Sequence, residues 1–238
     1  MILAILQARL SSSRLPGKVL MPLAGAPMIL RQVERVRRAA RIDRLVVATS
    51  DRADDDRLAD ALSGAGVEVY RGSLEDVLAR FVGALDAFPA DHVVRLTGDC
   101  PLIDPQLIDA TIDLHLRTGA DYSPNRVADK GFPKGQDVEV ITAAALRRAA
   151  ATASTSEERE HVTWGVWNHP ELYRIERLEP PLDQGHIRWT VDRSDDYEFV
   201  SAVYDALYPV DPAFTSDDIR AFVRSRPDLA NYGGDRRI

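Results

Sequence analysis

The sequence predicts a doubly wound α/β fold, a sheet of short buried strands with helices on both faces. Three observations carry the prediction. Short apolar runs alternate with amphipathic segments of helical period through the first half of the chain, and that order implies right-handed crossovers and parallel strand pairing. The chain has 238 residues, 45% of them hydrophobic, enough to bury one sizeable core, so one main domain over 1–238 is expected. The clusters able to do chemistry follow the carboxyl ends of the apolar runs, the edge at which open α/β sheets gather ligands.

Ile2 to Leu6 is a short apolar run suited to a buried parallel strand. After a basic loop, Val19 to Leu23 and the Gly25-Ala-Pro27 turn lead into a helix from about Met28 to Ala40, with Ile29, Val33, Val36 and Ala40 in one stripe. Arg44 to Thr49 reads as the second strand. Ser50-Asp51 can cap the helix that follows, and Asp54, Asp55 and Asp56 fall in its first turn, where the macrodipole favours acids; capping and solvation explain this run better than a metal site. Val67 to Tyr70 is the third strand, Leu74 to Ala87 a helix, His92 to Leu96 the fourth strand, and Gln106 to Arg117 another amphipathic helix.

The pattern changes after Asp121. Tyr122 to Gly135 is rich in Pro, Gly, Asn and charge and reads as a long loop before a strand at Asp137 to Ile141 and a helix from Thr142 to about Ala151. Glu157 to Asn168 reads as helix, with Trp164 and Trp167 as a packing stripe or dimer contact, and Tyr173 to Leu178 and His186 to Val191 read as strands. Helices at Asp195 to Leu207, with Ser194 as N-cap, and at Ser216 to Arg224 precede a polar tail, Asn231 to Arg237, expected to be loosely ordered.

A formal charge of −7 argues against bulk nucleic-acid binding and favours a small anionic ligand met by local basic groups. The single cysteine, Cys100, excludes an internal disulfide or a Cys-cluster zinc site. No signal segment and no run near the ~20 apolar residues of a membrane span is evident, so a soluble cytoplasmic protein that binds neither membrane nor nucleic acid is expected.

The basic loop gathers Arg9, Arg14 and Lys18 with Ser11, Ser12, Ser13 and a flexible Gly17, the mixture that grips a polyphosphate. A solvated basic loop has the same composition. It is not a P-loop, because Gly17-Lys18 lacks the earlier Gly and Val19 follows instead of Ser or Thr. Asp99 lies just past the fourth strand; with strand order 3-2-1-4 it faces the basic loop across the switch point and could hold Mg²⁺, although Gly98-Asp99 before Pro101 is also ordinary turn chemistry. Asp192, at the end of an apolar run, is a second metal candidate, whereas Asp195 and Asp196 read as first-turn dipole partners. Cys100 has no adjacent base in the sequence and reads as a buried thiol.

Together Gln7-Ala-Arg-Leu-Ser-Ser-Ser-Arg-Leu-Pro-Gly-Lys18, Glu75-Asp-Val-Leu-Ala-Arg80, Arg95-Leu-Thr-Gly-Asp-Cys-Pro-Leu-Ile-Asp104, Gly135-Gln-Asp-Val-Glu139, Glu158-Arg-Glu-His-Val162 and Arg188-Trp-Thr-Val-Asp192 resemble the cytidylyltransferases that activate acidic sugars. The resemblance spans nearly the whole chain and is strongest to the branch related to spore-coat polysaccharide protein F. It implies a Rossmann-like mixed sheet of the nucleotide-diphospho-sugar transferase type, with about 131–185 as a small irregular insert serving the acceptor and a homodimer arm. It implies that Arg9, Ser13, Arg14 and Lys18 bind the triphosphate of CTP with Ala8 and Leu10 beside it, that Arg80, Arg95 and Thr97 lie near the base, and that Asp99 and Asp192 hold Mg²⁺. Arg14, Lys18 and Asp99 would be the catalytic groups, and the reaction would join CMP to an acceptor with release of pyrophosphate.

Lys134, Gln136, Asp137, Glu139, Arg159 and His161 are the candidates for a small anionic acceptor, Lys134 or Arg159 as partner of its carboxylate. For His161 a surface or interface role is the stronger reading. Thr97-Gly-Asp-Cys-Pro stands where ketodeoxyoctonate enzymes typically show Gln-Gly-Asp-Glu-Pro, a departure that bears on both the base contact and the acceptor. A glycosyltransferase consuming a nucleotide sugar and a non-catalytic nucleotide-binding scaffold are the alternative readings.

Overall fold

The structure, a computed structural model, describes residues 1–127 and 130–238. In chain order the elements are β1 (Ile2–Gln7), a two-stranded ribbon of β2 (Pro22–Leu23) and β3 (Ala26–Pro27), α1 (Met28–Val36), β4 (Arg44–Ser50), α2 (Asp56–Gly64), β5 (Glu68–Gly72), α3 (Val77–Ala87), β6 (His92–Thr97) and α4 (Pro105–Thr118). Then come β7 (Tyr122–Pro124), a hairpin of β8 (Arg126–Val127) and β9 (Lys130–Gly131), β10 (Glu139–Thr142), α5 (Ala143–Thr152), α6 (Ser156–Glu160), α7 (Trp164–Trp167), α8 (Ser194–Leu207) and α9 (Ser216–Ser225).

The central sheet has the order β5-β4-β1-β6-β10-β7, and its first four strands run parallel. The expected 3-2-1-4 arrangement of the first four major strands is therefore present, with β1 in the middle and the ends of β1 and β6 side by side. β10 runs antiparallel to both neighbours, which makes the sheet mixed. Strand side chains alternate between two cores. Ala4 and Leu6 of β1, Val47 of β4 and Val94 of β6 pack with α1, α2, α4, α8 and α9, while Leu3, Ile5, Val46 and Val93 pack with α3, α5 and the α6–α7 region.

Local chemistry sets the element ends. α4 begins at Asp104, whose carboxylate accepts from the Gln106 N–H, with Pro105 in the first turn, and closes on Gly119 in the left-handed region. α1 stops at Val36, short of the expected Ala40. The anticipated helix over Glu157 to Asn168 is two pieces, broken where Val162 adopts φ 50°, a conformation no β-branched residue takes within a helix. The anticipated loop at Tyr122–Gly135 contains β7, β8 and β9; its residues 128–129 lie outside the described residues.

Tyr173–Leu178 and His186–Val191 are not ladder strands. The first runs beside β7, bridged at Tyr122 and Ile175, with the Glu176 and Leu178 N–H groups donating to the Tyr122 and Pro124 carbonyls; the second has one isolated bridge, Lys134 to Arg188, outside the ladder strands. The second segment is extended but bonds to loops: the Trp189 N–H donates to Lys134, Arg188 to Arg236 and Val191 to Asp99. The apolar alternation of Ile187, Trp189 and Val191 reports burial, not pairing.

The tail departs most from expectation. Arg237 is completely buried; it donates to the carbonyl of Arg188 at 2.8 Å and to Asp196 Oδ1 at 3.0 Å, and its own carbonyl accepts from the Trp189 indole at 2.8 Å. Asp196, read as a dipole partner, is equally buried. It accepts from Arg188, from Arg237 and from the N–H groups of Asp192 and Arg193, so Arg193 is the N-cap of α8 in place of Ser194.

Candidate active site

The carboxyl ends of β1 and β6 frame a cavity of about 330 Å³. The two strands approach closely here: the Gly98 N–H donates to the Gln7 carbonyl at 2.8 Å, and a Cβ on Gly98 would lie 2.9 Å from Ala8 Cβ. The lining comprises Gln7 at the end of β1, Ala8, Arg9, Ser12, Ser13, Arg14, Lys18 and Val19 from the basic loop, Val77 and Arg80 from α3, Arg95, Thr97, Gly98 and Asp99, Glu160 and His161 at the end of α6, and Asp192.

The loop is folded by contacts remote in sequence. Its Leu10 N–H donates to Asp55 Oδ1 at 2.7 Å, and Ser50 Oγ donates to the other Asp55 oxygen. Asp55 is therefore a buried tether of the loop, not a solvated member of the acidic run. The Gly17 N–H donates to the Leu10 carbonyl, which turns the chain back so that Lys18 enters the cavity floor. The N–H of Ala8 is spent on Ala48 and that of Leu10 on Asp55, so neither amide is free for a ligand; Leu10 itself packs at the edge of the core outside the cavity lining.

Lys18 is the centre of the site. Its side chain is 9% exposed, and Nζ donates to Asp99 Oδ2 at 3.2 Å, Asp192 Oδ1 at 3.0 Å and the Val191 carbonyl at 2.6 Å. Arg14 reaches the same Asp192 oxygen at 3.0 Å, and Arg188 holds the other at 3.0 Å. Burial pushes the Asp192 carboxyl up, but Lys18, Arg188 and Arg14 outweigh it and hold it below the usual carboxylate range. The segments carrying the two aspartates are joined as well, because the carbonyl of Asp99 accepts from the Val191 N–H and the Thr190 hydroxyl.

Asp99 and Asp192 thus converge on one cation. Two carboxylates in that relation fit a hard divalent ion whose shell is completed by phosphate oxygens and water. Among the described residues there is no group of three or more His, Cys, Asp or Glu that could hold a metal, so the pair suits an ion that arrives with its substrate better than a permanent protein cage.

Opposite this acid pair lies Arg80, which is buried and has no carboxylate within ion-pair distance among the described residues. It donates to the Ser73 carbonyl, and its Nε has no partner. Burial, with Arg9 nearby, pulls its guanidinium down to about 10, still charged at neutral pH. A buried cation with no ion-paired carboxylate among the described residues, facing a cavity, is suited to an anionic or electron-rich ligand.

Arg95 is held from behind by Glu139, which also accepts from Tyr122 and Thr163, while Arg95 Nε donates to Gln7. Burial pushes the Tyr122 phenol up, and the Glu139 charge adds to the effect. His161 stands exposed at the rim, its ring 5.9 Å from that of Trp164.

The other expected acceptor groups line no part of the cavity. Gln136 is buried with both amide atoms engaged: Nε2 donates to Leu102 and Oε1 accepts from the Asp104 N–H, a latch across the loop after β6. Arg159 pairs with Asp76 and donates to Ala153. The Lys134 backbone pairs with Ile187 and Trp189, away from the cavity lining. Asp137 keeps 31% of its side-chain surface, yet its carboxylate lies among crowding atoms. That desolvation pushes its carboxyl up, against the pull of Arg126. Sequence reasoning missed Asp55, Arg188 and Asp196 as organisers of the site; the spacing of Arg188, Asp192 and Asp196, four apart each time, was the available signal. Cys100 is buried, and burial pushes its thiol well up, the state of an inert packing residue.

A family model described as Cytidylyltransferase matches residues 3–206. The chain is 38% identical to the spore coat polysaccharide biosynthesis protein SpsF of Bacillus subtilis over 96% of each chain. It is 34% identical to a 3-deoxy-manno-octulosonate cytidylyltransferase of a Bradyrhizobium species, over 77% of this chain and 80% of the relative. A cytidylyltransferase structure from Leptospira borgpetersenii superposes with a TM-score of 0.89 at 29% identity, over 96% of this chain and 95% of the other.

Proposed function

Because this chain belongs to the cytidylyltransferase family and is a nucleotidyltransferase, we propose that it transfers CMP from CTP to an acidic or modified sugar, with release of pyrophosphate, in the synthesis of a surface-glycan precursor. One observation carries the reading: in a single cavity, the cations Arg9, Arg14, Lys18 and Arg80 face the convergent carboxylates Asp99 and Asp192. That is the charge pattern required by a triphosphate that brings a divalent ion.

In this reaction the acceptor hydroxyl oxygen bonds to the α-phosphorus and gives up its proton to solvent, while the bond from that phosphorus to the bridging oxygen breaks and its electron pair leaves on pyrophosphate. Arg14 and Lys18 offset the charge that grows on the leaving group, and Ser13 with Arg9 orients the phosphate tail. Asp99 and Asp192 would hold Mg²⁺, which would supply polarisation of the α-phosphate. Arg80, Arg95 and Thr97 take the base and ribose side, with Arg95 kept in one orientation by Glu139 and Gln7. Little covalent work falls to the protein, since positioning and charge stabilisation dominate phosphoryl chemistry.

The acceptor enters past Asp99 on the side of His161, which lines the cavity; Gln136 and Arg159 serve it from behind the lining, through Leu102 and Asp104 and through Asp76. Of the segment 131–185, β10 and α5 belong to the sheet and its core, and the part beyond α5 forms the homodimer contact, a reading supported by the exposed apolar side chains of Trp164, Leu172 and Leu182.

The test supplies each of the four nucleoside triphosphates with Mg²⁺ and a panel of sugar acids, sugar phosphates and phosphonates, and follows pyrophosphate. Release with CTP and a sugar acid supports the proposal. Sugar transfer from a nucleotide sugar without pyrophosphate would replace it by the glycosyltransferase reading, and CTP binding without turnover across the panel by the scaffold reading.

A further inference from the structure

The position a divalent ion would take between Asp99 and Asp192 already contains a cation, the ammonium of Lys18. It is not a passing surface contact. The side chain is buried, both carboxylates and the Val191 carbonyl converge on Nζ, and Gly17 and the Leu10 carbonyl turn the backbone that delivers it. Asp192, itself buried, would otherwise face Asp99 across a small gap with two like charges aimed at one point. Lys18 removes that repulsion, at the cost of occupying the space.

We propose that Lys18 is a displaceable internal cation: it fills the divalent site until metal enters, and it then swings from the two aspartates toward the phosphates. This inference rests on the assignment of Asp99 and Asp192 as the metal carboxylates. Metal and nucleotide binding are coupled as a consequence. Metal alone must evict the ammonium into an empty cavity, whereas metal with a triphosphate gives the ammonium a new anionic partner at once. Each ligand therefore strengthens the other through one side chain. The neighbouring Arg14 cannot play this part, for it touches only Asp192 and its side chain is 61% exposed, where water screens its charge.

The experiment measures Mn²⁺ binding to the folded, nucleotide-free protein by electron paramagnetic resonance. Lys18→Met and Lys18→Gln are expected to bind Mn²⁺ about tenfold or more tightly than the parent, because the metal no longer competes with a buried ammonium for the two carboxylates. Arg14→Met, at an exposed position, should change the affinity less than about threefold. Equal effects of Lys18→Met and Arg14→Met would reduce the result to bulk charge removal and overturn the inference. Unchanged affinity in the Lys18 variants would also overturn it.

Asp99→Asn and Asp192→Asn separate the two levels. If neither weakens Mn²⁺ binding, the metal assignment itself fails; if both weaken it and the Lys18 variants do not strengthen it, only the displacement fails. Acylation of lysines in the parent protein, read by mass spectrometry, avoids variants that fold poorly. Mn²⁺ alone should raise the reactivity of Lys18 several-fold, and no change would contradict the displacement.

Discussion

Arg237→Met tests whether the polar tail is part of the site's foundation. The substitution deletes a guanidinium with no exposed surface, which bonds to the carbonyls of Arg188 and Tyr232 and to Asp196 Oδ1. Removing one partner of a buried ion pair costs about 3–5 kcal/mol when the other charge is left uncompensated. Asp196 keeps Arg188 and two backbone N–H donors, so the low end applies, about 3 kcal/mol. For a chain of this size the corresponding drop in Tm is about 6–12 °C. Urea unfolding followed by circular dichroism, together with a thermal scan, reads both quantities. The Asp192 N–H bonds to the same Asp196 carboxylate, so Mn²⁺ affinity should fall in the folded variant too. A loss below about 1 kcal/mol with unchanged Mn²⁺ affinity would mean that the tail is an appendage, and the reasoning from burial would be refuted.

Gly135→Ala places a Cβ 2.5 Å from the Thr190 amide at a φ of +104°; a loss of several kcal/mol, about 3 or more, is expected in urea unfolding, and a neutral result would show that this loop can move. Arg80→Met should raise the KM for nucleotide at least about tenfold with unfolding free energy within about 1 kcal/mol of the parent, because the deleted charge has no ion-pair partner among the described residues; a large stability loss would make Arg80 structural. His115 is buried between His92 and Ser123, and burial, with His92, lowers its pKa to about 4. The unfolded chain therefore binds more protons between pH 6.5 and about 4, so stability should fall as pH drops through that window, by up to about 3 kcal/mol, and His115→Asn should flatten the dependence. The same slope in His115→Asn would assign the effect elsewhere.

Much of the sheet was legible because its strands are short apolar runs of the kind that parallel burial demands. Ile2–Leu6 and His92–Leu96 needed no partner to be recognised, and the crossover rule then put the basic loop and Asp99 together. Illegible features depend on contacts far apart in sequence. Asp55 reads as one acid among three until the Leu10 amide, 45 residues earlier, is seen to donate to it. Arg237 sits in a polar tail whose composition suggests disorder, and only Asp196 and the Arg188 carbonyl explain its burial. His186–Val191 alternates like a strand because one side faces the core, yet its hydrogen bonds go to Lys134, Asp99 and Arg236. The break at Val162 has no local signal. It accompanies Thr163 reaching Glu139, 24 positions earlier.

The most direct measurement of CMP transfer follows the α-phosphorus of CTP labelled at that atom, with an accepted sugar acid and Mg²⁺. All transferred label should appear in a CMP-linked sugar, with one unlabelled pyrophosphate per turnover, and Asp99→Asn and Lys18→Met should stop both products while remaining folded. Label released as free nucleotide with inorganic phosphate, or full transfer by the Asp99→Asn protein, would contradict the assignment of reaction and site.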